Sequence, residues 1–462
     1  MIEFILNNKK ISTHCKTGEN LLYFIREQEF MKGTKVGCRE GDCGACTVLV
    51  GSLQKNDTVV YKTVTSCLAS LASVAGKHVV TIEGLNLERD LNKAQQAMHE
   101  NFATQCGFCT PGFVVSLSGH ALENNIKNKN TIDAISGNIC RCTGYKSIEK
   151  AAILFDQELQ NSNETIEWFI ENKFIPSYFR TIPELLKSLN NIDSKEKARL
   201  VAGGTDVYVK EADNLTEIDV FFPEGNNKIE FQSGKILIGG NVTVAQLWDS
   251  ERLNEFFPKW KNYLKLISSK QIRNMATIAG NFVNASPIAD LAILFLALDA
   301  SLILKNQQKE SRKVVLKDFF LAYKKIDLKE NEVIETIEFE IPSKNKLFNF
   351  EKVSKRTHLD IASVNSAMSI QVEKNIIKEL HLSIGGVSAV PKYLVQTGFY
   401  LIGKDLTISV IKEACNILQS EITPIDDIRG SKEYKRLLAN QLFLAHFIEL
   451  FPETFSLADF QN

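Results

Sequence analysis

Short apolar runs separated by turn residues dominate residues 1–84. The segments IEFILNN, TVLVGS, VVYKTVTS and HVVTIEG have the length and β-branched content of strands. Residues 20–28 instead repeat their apolar positions at helical spacing. The pattern predicts a small β-rich domain with one helix.

The apolar spacing becomes helical throughout residues 85–158. Helices are predicted at 92–103, 112–124, 131–136 and 147–157. Pro111 suits the first turn of the second helix, and Thr131 is the predicted N-cap of the third. Four such helices predict a compact bundle.

The rest of the chain predicts two further α+β domains. Residues 159–174 are polar and are interpreted as a linker, and strands then alternate with helices over 175–342. After a break at 342–345, strands at 367–372 and 380–384 and helices at 408–418 and 431–450 define a last domain, 346–462. The expected fold class is α+β multidomain, with domains at 1–84, 85–158, 175–342 and 346–462.

Charge and hydropathy exclude some partners. The formal net charge of −1 in 462 residues provides no attraction to nucleic acid or to an anionic membrane. The apolar stretch 291–304 is interrupted by Asp299 and is too short to span a membrane, so it predicts a buried helix or a helix–strand pair. The first residues lack the features of a signal peptide. We expect a cytoplasmic protein.

The cysteines are clustered, and clustering in a reducing compartment indicates metal binding or catalysis rather than disulfides. Of the ten, only Cys415 lies beyond residue 143. Cys38, Cys43 and Cys46 have the spacing C-x4-C-x2-C and precede Cys67, which is the plant-type 2Fe–2S arrangement. A zinc knuckle is the alternative, but zinc sites usually show two C-x2-C hooks.

A second set of cysteines consists of two close pairs, Cys106 with Cys109 and Cys140 with Cys142. Each pair lies just before a predicted helix, so two helix N-termini would converge on an anionic group. A C-x-C pair is unusual for zinc, but the spacing alone leaves the metal open.

The cysteine segments resemble those of a known family. GCREGDCGACTV, QCGFCTPGF and GNICRCTGY are similar to the cluster motifs of the molybdenum hydroxylases, which include xanthine dehydrogenases and aldehyde oxidases. The resemblance implies two 2Fe–2S clusters, one in a β-grasp ferredoxin domain and one in a four-helix-bundle domain. It makes all eight cysteines of the two sets ligands. Cys15 and Cys415 match no ligand position and are predicted to be small buried hydrophobes.

A possible flavin segment begins at residue 200. Its strand, Gly-Gly turn and helical continuation could cradle a pyrophosphate, although a plain turn has the same pattern and no G-x-G-x-x-G is present. The resemblance implies the FAD loop of a vanillyl-alcohol-oxidase-like (PCMH-type) domain. The residues of this loop are Leu200, Val201, Ala202, Gly203, Gly204, Thr205, Asp206 and Val207.

The segments QIRNMATIAGN and ASPIADL extend the resemblance and imply further FAD contacts. The implied contacts are Ile267, Thr277, Gly280, Asn281, Asp290, Lys352 and Asp360. Lys352 and Asp360 correspond to flavin and nicotinamide contacts, although charged residues can also be solvated surface. Three positions depart from the family pattern: Ala279 replaces a glycine, Ile293 a proline, and Ile267 a phenylalanine beside the isoalloxazine.

The resemblance implies an electron-transfer subunit with no catalytic residue of its own. Two cluster domains fused to a flavin domain are similar to the small subunit of bacterial xanthine dehydrogenases. We therefore expect FAD, NAD as electron acceptor, and a large partner subunit that alone carries molybdopterin, in an (αβ)2 heterotetramer that converts hypoxanthine or xanthine to urate in purine catabolism. The alternatives are an aldehyde or N-heterocycle hydroxylase, a stand-alone flavin diaphorase, and a structural zinc protein.

Overall fold

The computed structural model describes residues 1–123, 130–190, 198–221, 225–356 and 359–461. The chain divides into two compact units, which are described separately. Unit 1 comprises Met1–Pro223 and Ser269–Ala276, and unit 2 comprises Glu224–Ser268 and Thr277–Asn462. Along the sequence, the chain thus leaves unit 2 at Ser269 and returns to it at Thr277.

Unit 1 begins with a five-stranded sheet. Its spatial order is Lys9–Thr13, Ile2–Leu6, His78–Val80, Thr47–Leu53 and Val59–Thr65, and only the second and third strands pair in parallel. Phe4 packs against Phe24 of the predicted helix, whereas Ile5, on the opposite face, packs against Ile182 and Leu186. Both faces of the first strand are covered, and all five of its residues are buried.

The one helix predicted for residues 1–84 is present, and the structure adds three short helices that were not predicted. The expected helix is an α-helical turn, Leu21–Tyr23, continued by a π-helix, Phe24–Gln28, and capped by the Asn20 side chain. Further short helices are Ser66–Leu68, Leu71–Val74 and Glu83–Leu85.

The four predicted helices form a bundle. They span Lys93–Glu100, Thr110–Ala121, Thr131–Ile135 and Lys146–Leu159. Pro111 lies in the first turn as predicted, but residue 124, the predicted end of the second helix, lies outside the described residues. The N-cap of the third helix was wrong by one residue: Asn130 caps it by accepting the Ile132 N–H, and Thr131 bonds Asp156 instead.

The polar segment interpreted as a linker contains a helix. Ile166–Glu171 is capped by Thr165, and its Phe169 is buried in the bundle core together with Phe174. The polar residues of the segment cover its outer face. Its polar composition therefore gave no indication of the buried aromatic side chains. Unit 1 continues with Ser177–Thr181, Ile182–Lys187, the parallel strands Arg199–Leu200 and Val220–Phe221, and the helices Val207–Thr216 and Lys270–Arg273.

Unit 2 contains an antiparallel five-stranded sheet. Its order is Ser311–Val315, Ser301–Asn306, Glu332–Glu340, Lys235–Gly239 and Ile229–Gln232. The apolar stretch that begins near Leu291 is the predicted helix–strand pair, Asp290–Ala297 followed by Ser301–Asn306. Other elements of this part are Val244–Asp249, Glu251–Phe256, Trp260–Lys265, Ile278–Asn284, Leu316–Phe319, Phe320–Ala322 and Lys325–Ile326.

The C-terminal part of unit 2 is a sheet of Lys346–Val353, Val364–Glu373, Ile376–Gly385 and Lys392–Tyr393. The helices Val395–Leu401, Ile408–Glu421 and Lys432–Leu450 accompany it, followed by the turn Leu457–Phe460. The predicted strands and helices of this domain are confirmed, and Ser431 is the N-cap of the last long helix. Across the described ranges, the structure has no helix with the length and apolar character that a membrane crossing requires.

Candidate functional site

The loop that carries Cys38, Cys43 and Cys46 depends on its glycines. Gly41 and Gly44 have φ of +79° and +65°, a region in which residues with side chains are strained. A Cβ at Gly37 would lie 2.5 Å from the Cys43 sulfur. The loop can therefore fold tightly around its sulfur atoms only with glycine at these positions.

The four cysteines of this loop region are arranged as two pairs. Cys38 pairs with Cys43, and Cys46 pairs with Cys67, each through a hydrogen bond between the side chains. The backbone N–H groups of Glu40 and Cys43 both lie 3.3 Å from the Cys38 sulfur. The hydrogen bond from Cys43, together with these N–H groups, lowers the pKa of Cys38 to about 5. Such donors stabilise a thiolate in a metal site.

The second set of cysteines is also arranged as two pairs. Cys106 and Cys142 have sulfur atoms 3.6 Å apart, and Cys109 pairs with Cys140. Cys109 is the N-cap residue of Thr110–Ala121, and Cys140 and Cys142 shortly precede Lys146–Leu159. The predicted placement of each pair before a helix N-terminus is confirmed.

In each set the four sulfur atoms lie in two hydrogen-bonded pairs. Two pairs of thiolates suit a cluster of two irons, each of which takes two cysteines. The donor sets thus fit 2Fe–2S clusters.

The two sets of cysteines are joined by their backbones. The N–H of Ile139 donates to the carbonyl of Cys43 at 2.9 Å. Ile139 directly precedes Cys140, so one hydrogen bond connects a residue of the first set to the neighbour of a residue of the second.

Residues 200–207 form an open turn in unit 1. Leu200 ends a strand, Val201 donates to Phe221, and a helix begins at Val207. Gly204 has φ of +73°, and a Cβ at Gly203 would lie 2.2 Å from the Met275 carbonyl. Within the described part of the chain, the N–H groups of Gly203, Gly204 and Thr205 donate to no acceptor. Free N–H groups before a helix fit a phosphate group.

All eight residues of the predicted FAD loop lie in this turn, and their side chains differ in burial. Tyr208, just after it, is buried and donates to the carbonyl of Gly18. Ala202, Thr205 and Asp206 are partly exposed beside the glycines. The turn is therefore partly accessible to solvent and is anchored at its helical end.

The other predicted FAD residues belong to unit 2. Thr277 caps the helix Ile278–Asn284 by accepting the N–H of Gly280 at 3.1 Å. The Oδ1 atom of Asn281 is buried and has no partner among the described residues, which leaves it available to a ligand. Ala279 is accommodated because it faces Gly240, to whose carbonyl it donates at 3.1 Å.

Asp290 and Lys352, which were both predicted as FAD contacts, lie in one hydrogen-bonded network. The Lys352 ammonium donates to Asp290 and to the Leu266 carbonyl, both at 2.7 Å, and its side chain is only 2% exposed. The alternative of a solvated surface lysine is wrong. Ile267, next to Leu266, is buried, as is Ile293.

Asn365 belongs to the same network and was missed from sequence. Its Nδ2 atom donates to Asp290 at 2.6 Å, and its Oδ1 atom is buried without a partner in the described chain. The predicted strand began at residue 367, two positions too late to include it. A polar residue between the buried Val364 and Ser366 was the available signal.

Asp360 is hydrogen-bonded to Arg356, and the charge of Lys352 also acts on it. It accepts hydrogen bonds from the backbone and the guanidinium group of Arg356 at 2.6 to 2.8 Å. Burial opposes ionisation, but these bonds outweigh it and lower the pKa of Asp360. The carboxylate is therefore ionised and locally paired.

Neither extra cysteine is fully buried, contrary to prediction. Cys15 is half-buried and bonds Thr13 and Gln28, and Cys415 is half-buried at the margin of the C-terminal core. Burial raises the pKa of Cys415 to about 11. Both thiols lie at core edges, where the sequence pattern is ambiguous.

Four domain families match the chain in order. They are described as 2Fe-2S iron-sulfur cluster binding domain (residues 4–71), 2Fe-2S binding domain (81–153), FAD binding domain in molybdopterin dehydrogenase (173–344) and CO dehydrogenase flavoprotein C-terminal domain (350–450). The chain therefore contains two 2Fe–2S-binding domains and one FAD-binding domain, as the cofactor prediction and the predicted fold class required.

Several curated proteins are similar over nearly the whole chain. Xanthine dehydrogenase 1 of Arabidopsis thaliana is 27% identical over 93% of this chain and 38% of its own length. Xanthine dehydrogenase/oxidase of Rattus norvegicus is 26% identical over 96% and 38%. Aldehyde oxidase 2 of the same species is 26% identical over 98% and 39%. The chain spans about 38% of the length of the first of these relatives.

Solved structures share the fold at low sequence identity. Carbon monoxide dehydrogenase from Hydrogenophaga pseudoflava superimposes with a TM-score of 0.52 at 23% identity, covering 56% of this chain and 92% of that chain. Quinoline 2-oxidoreductase from Pseudomonas putida 86 gives 0.50 at 21% identity, covering 55% and 89%.

Proposed function

We propose that this chain, which carries the iron–sulfur and FAD module of the molybdenum hydroxylases, transfers electrons from a molybdenum centre on a partner subunit to NAD⁺. Electrons enter at the site of Cys106, Cys109, Cys140 and Cys142, pass to the site of Cys38, Cys43, Cys46 and Cys67, and leave through the flavin. The observation that carries the proposal is the hydrogen bond from Ile139 to Cys43, which links the two cysteine sites.

The three cofactors have complementary chemistry. Iron–sulfur clusters exchange single electrons, whereas a flavin accepts two one at a time and releases both as hydride. The residues of this chain hold and orient these groups and shield them. No residue of the chain is required to touch the hydroxylated substrate.

The second cysteine site supports a partner subunit because it opens on the surface of unit 1. Cys106 and Cys142 are exposed, and the nearby Phe102 and Phe108 are 85% and 48% exposed. Exposed aromatic residues around a redox site are typical of a surface that another protein covers. The proposed partner is a large molybdopterin-binding subunit, and the proposed assembly is an (αβ)2 heterotetramer.

The proposed substrates of the complex are hypoxanthine and xanthine, and the product is urate. This part rests on the similarity to xanthine dehydrogenases. An aldehyde is the second candidate, because an aldehyde oxidase is similar to a comparable degree. Assays of the co-expressed complex with a purine, an aldehyde and an N-heterocycle distinguish these substrates.

Replacing Cys43 with Ser tests the electron route. In the complex, the variant is expected to keep substrate-dependent reduction of the molybdenum centre and to lose NADH formation, while Cys15→Ser retains both. Normal NADH formation by Cys43→Ser would contradict the route. Vigorous NADH-to-dye activity by this chain alone, with no large subunit co-purifying, would favour a stand-alone diaphorase.

A further inference from the structure

We propose that Gln271 is a positioning residue for electron transfer between the two cysteine sites. Its side-chain amide lies in a buried junction where the loops of both sites meet, and holds Asn138 in the orientation that keeps those loops in contact. The inference rests on the proposed function and adds a residue outside both ligand sets.

The junction begins at the bond between Ile139 and Cys43. The neighbouring residue, Asn138, makes a second contact with the same loop, since its Nδ2 atom donates to the carbonyl of Gly44 at 3.0 Å. The two bonds hold consecutive residues, 138 and 139, against residues 43 and 44. They fix how closely the backbone next to Cys140 approaches the backbone of Cys43.

Two donors fix the orientation of the Asn138 amide. Its Oδ1 atom accepts from the Ser116 hydroxyl at 2.7 Å and from Nε2 of Gln271 at 3.1 Å. Gln271 also donates to Ser116 at 3.2 Å. All three side chains are buried, with Ser116 and Gln271 fully excluded from solvent. A flipped Asn138 would face these donors with its own NH2 group and would lose the bond to Gly44.

Glycines let the three segments approach to backbone contact. A Cβ at Gly44 would lie 2.3 Å from the Gly137 carbonyl, and one at Gly112 would lie 2.4 Å from the Gly44 carbonyl. A Cβ at Gly137 would lie 1.9 Å from Oε1 of Gln271. The close packing leaves little room for the loops to shift, and the hydrogen bonds of Asn138 and Ile139 define their register.

Gln271 reaches the junction from a distant part of the sequence. It lies in the helix Lys270–Arg273, which Ser269 caps, and the following Asn274 donates to the Thr63 carbonyl at 2.9 Å. Its Oε1 atom has no hydrogen-bond partner in the described chain, so its polar contribution comes through Nε2. A neutral donor also adds no charge beside two anionic clusters.

The test compares variants of the complete, cluster-loaded chain. Gln271→Met keeps the size of the side chain and removes the donor, and Gln271→Glu replaces the donor with an acceptor that opposes Asn138. Gln396→Met, at an exposed position of unit 2, is the matched control. After flash photoreduction by an external one-electron donor, optical and EPR signals follow the equilibration of electrons between the two sites.

We expect electron equilibration to slow several-fold in both Gln271 variants, because loss of the bond to Asn138 lets the two loops move apart and electron transfer falls steeply with distance. The EPR coupling between the two reduced clusters should weaken, while iron content and the potential of each cluster remain those of the wild type. The control should match the wild type in every measurement.

Unchanged equilibration and unchanged EPR coupling in Gln271→Met would overturn the proposal, as would loss of a cluster in place of slower transfer. Should that variant fail to fold, unchanged equilibration and coupling in Gln271→Glu, which removes the same donor, overturn it equally. Failure of the proposed function is distinguishable, because the wild type itself would then show no transfer between two clusters.

Discussion

Lys352 and Asp290 form a buried ion pair, with 2.7 Å between Nζ and Oδ2, although they lie 62 residues apart in the sequence. The lysine also donates to the Leu266 carbonyl, beside Ile267. Asn365 completes the network from the neighbouring strand. One buried ion pair thus joins the segments that contain Leu266, Asp290, Lys352 and Asn365.

Removing one member of this pair is expected to destabilise unit 2. In Lys352→Met, the Asp290 carboxylate loses its counter-charge while it stays largely buried, which typically costs about 3–5 kcal/mol of unfolding free energy. Chemical denaturation at neutral pH measures the change, with Lys355→Met, at an exposed position, as the control. Equal stability of the two variants would show that the pair contributes nothing.

Replacing Cys142 with Ser is expected to remove one cluster and leave the other. Iron content should fall from about four to about two atoms per chain, because each 2Fe–2S cluster needs four thiolates. Metal analysis and the visible spectrum measure the loss, and Cys15→Ser, outside both sets, should keep all the iron. Full iron content in Cys142→Ser would remove that cysteine from the ligand set.

A methyl group at Gly203 is expected to weaken FAD binding. The Cβ would clash with the Met275 carbonyl, a backbone atom that cannot rotate away, and the turn would shift. Overpacking of this kind costs about 1–3 kcal/mol, which corresponds to a roughly five- to hundredfold loss of affinity. Flavin content after purification and titration with FAD report the effect.

Gly398→Ala is the control for this flavin prediction, since the nearest atom to its Cβ is 3.9 Å away. Retention of bound FAD by Gly203→Ala at the wild-type level would separate this turn from the flavin.

Acid should destabilise the protein through two buried histidines. Burial lowers the pKa of both His78 and His446 to about 3, from an ordinary value of 6.5. Below pH 6.5 the unfolded chain binds a proton that the folded chain does not, so stability is complete above that pH and declines toward pH 3. Each imidazole should cost about 2 kcal/mol between pH 6.5 and pH 5.

The variant His446→Gln tests this pH dependence. Its polar neighbours Asn349 and Ser366 can bond an amide, and the variant should lose part of the decline between pH 7 and pH 5. Denaturant midpoints at both pH values measure it, and His14→Gln, at an exposed position, should behave as wild type. The same slope in all three proteins would assign acid sensitivity to other groups.

Local patterns predicted most of the elements. The helix that begins at Lys432 and the helix–strand pair from Asp290 follow from apolar spacing, capping and length. The helix Ile166–Glu171 was missed because it is short and because the polar composition of its segment indicated a linker. Burial of one aromatic residue, Phe169, anchors the helix in spite of that composition. Thr131 was predicted as the cap although Asn130, which precedes it, is the better capping residue type and is the cap in the structure.

The sequence by itself determined the ligand spacing, the glycines and the caps, because these depend on neighbouring residues and on the conformations that each residue type can adopt. Only the tertiary structure decided which sulfurs pair, that Asn365 joins Asp290, and that Gln271 lies beside Asn138, 133 residues away. Such contacts depend on how distant segments pack, and side-chain periodicity records which face is buried but not what covers it.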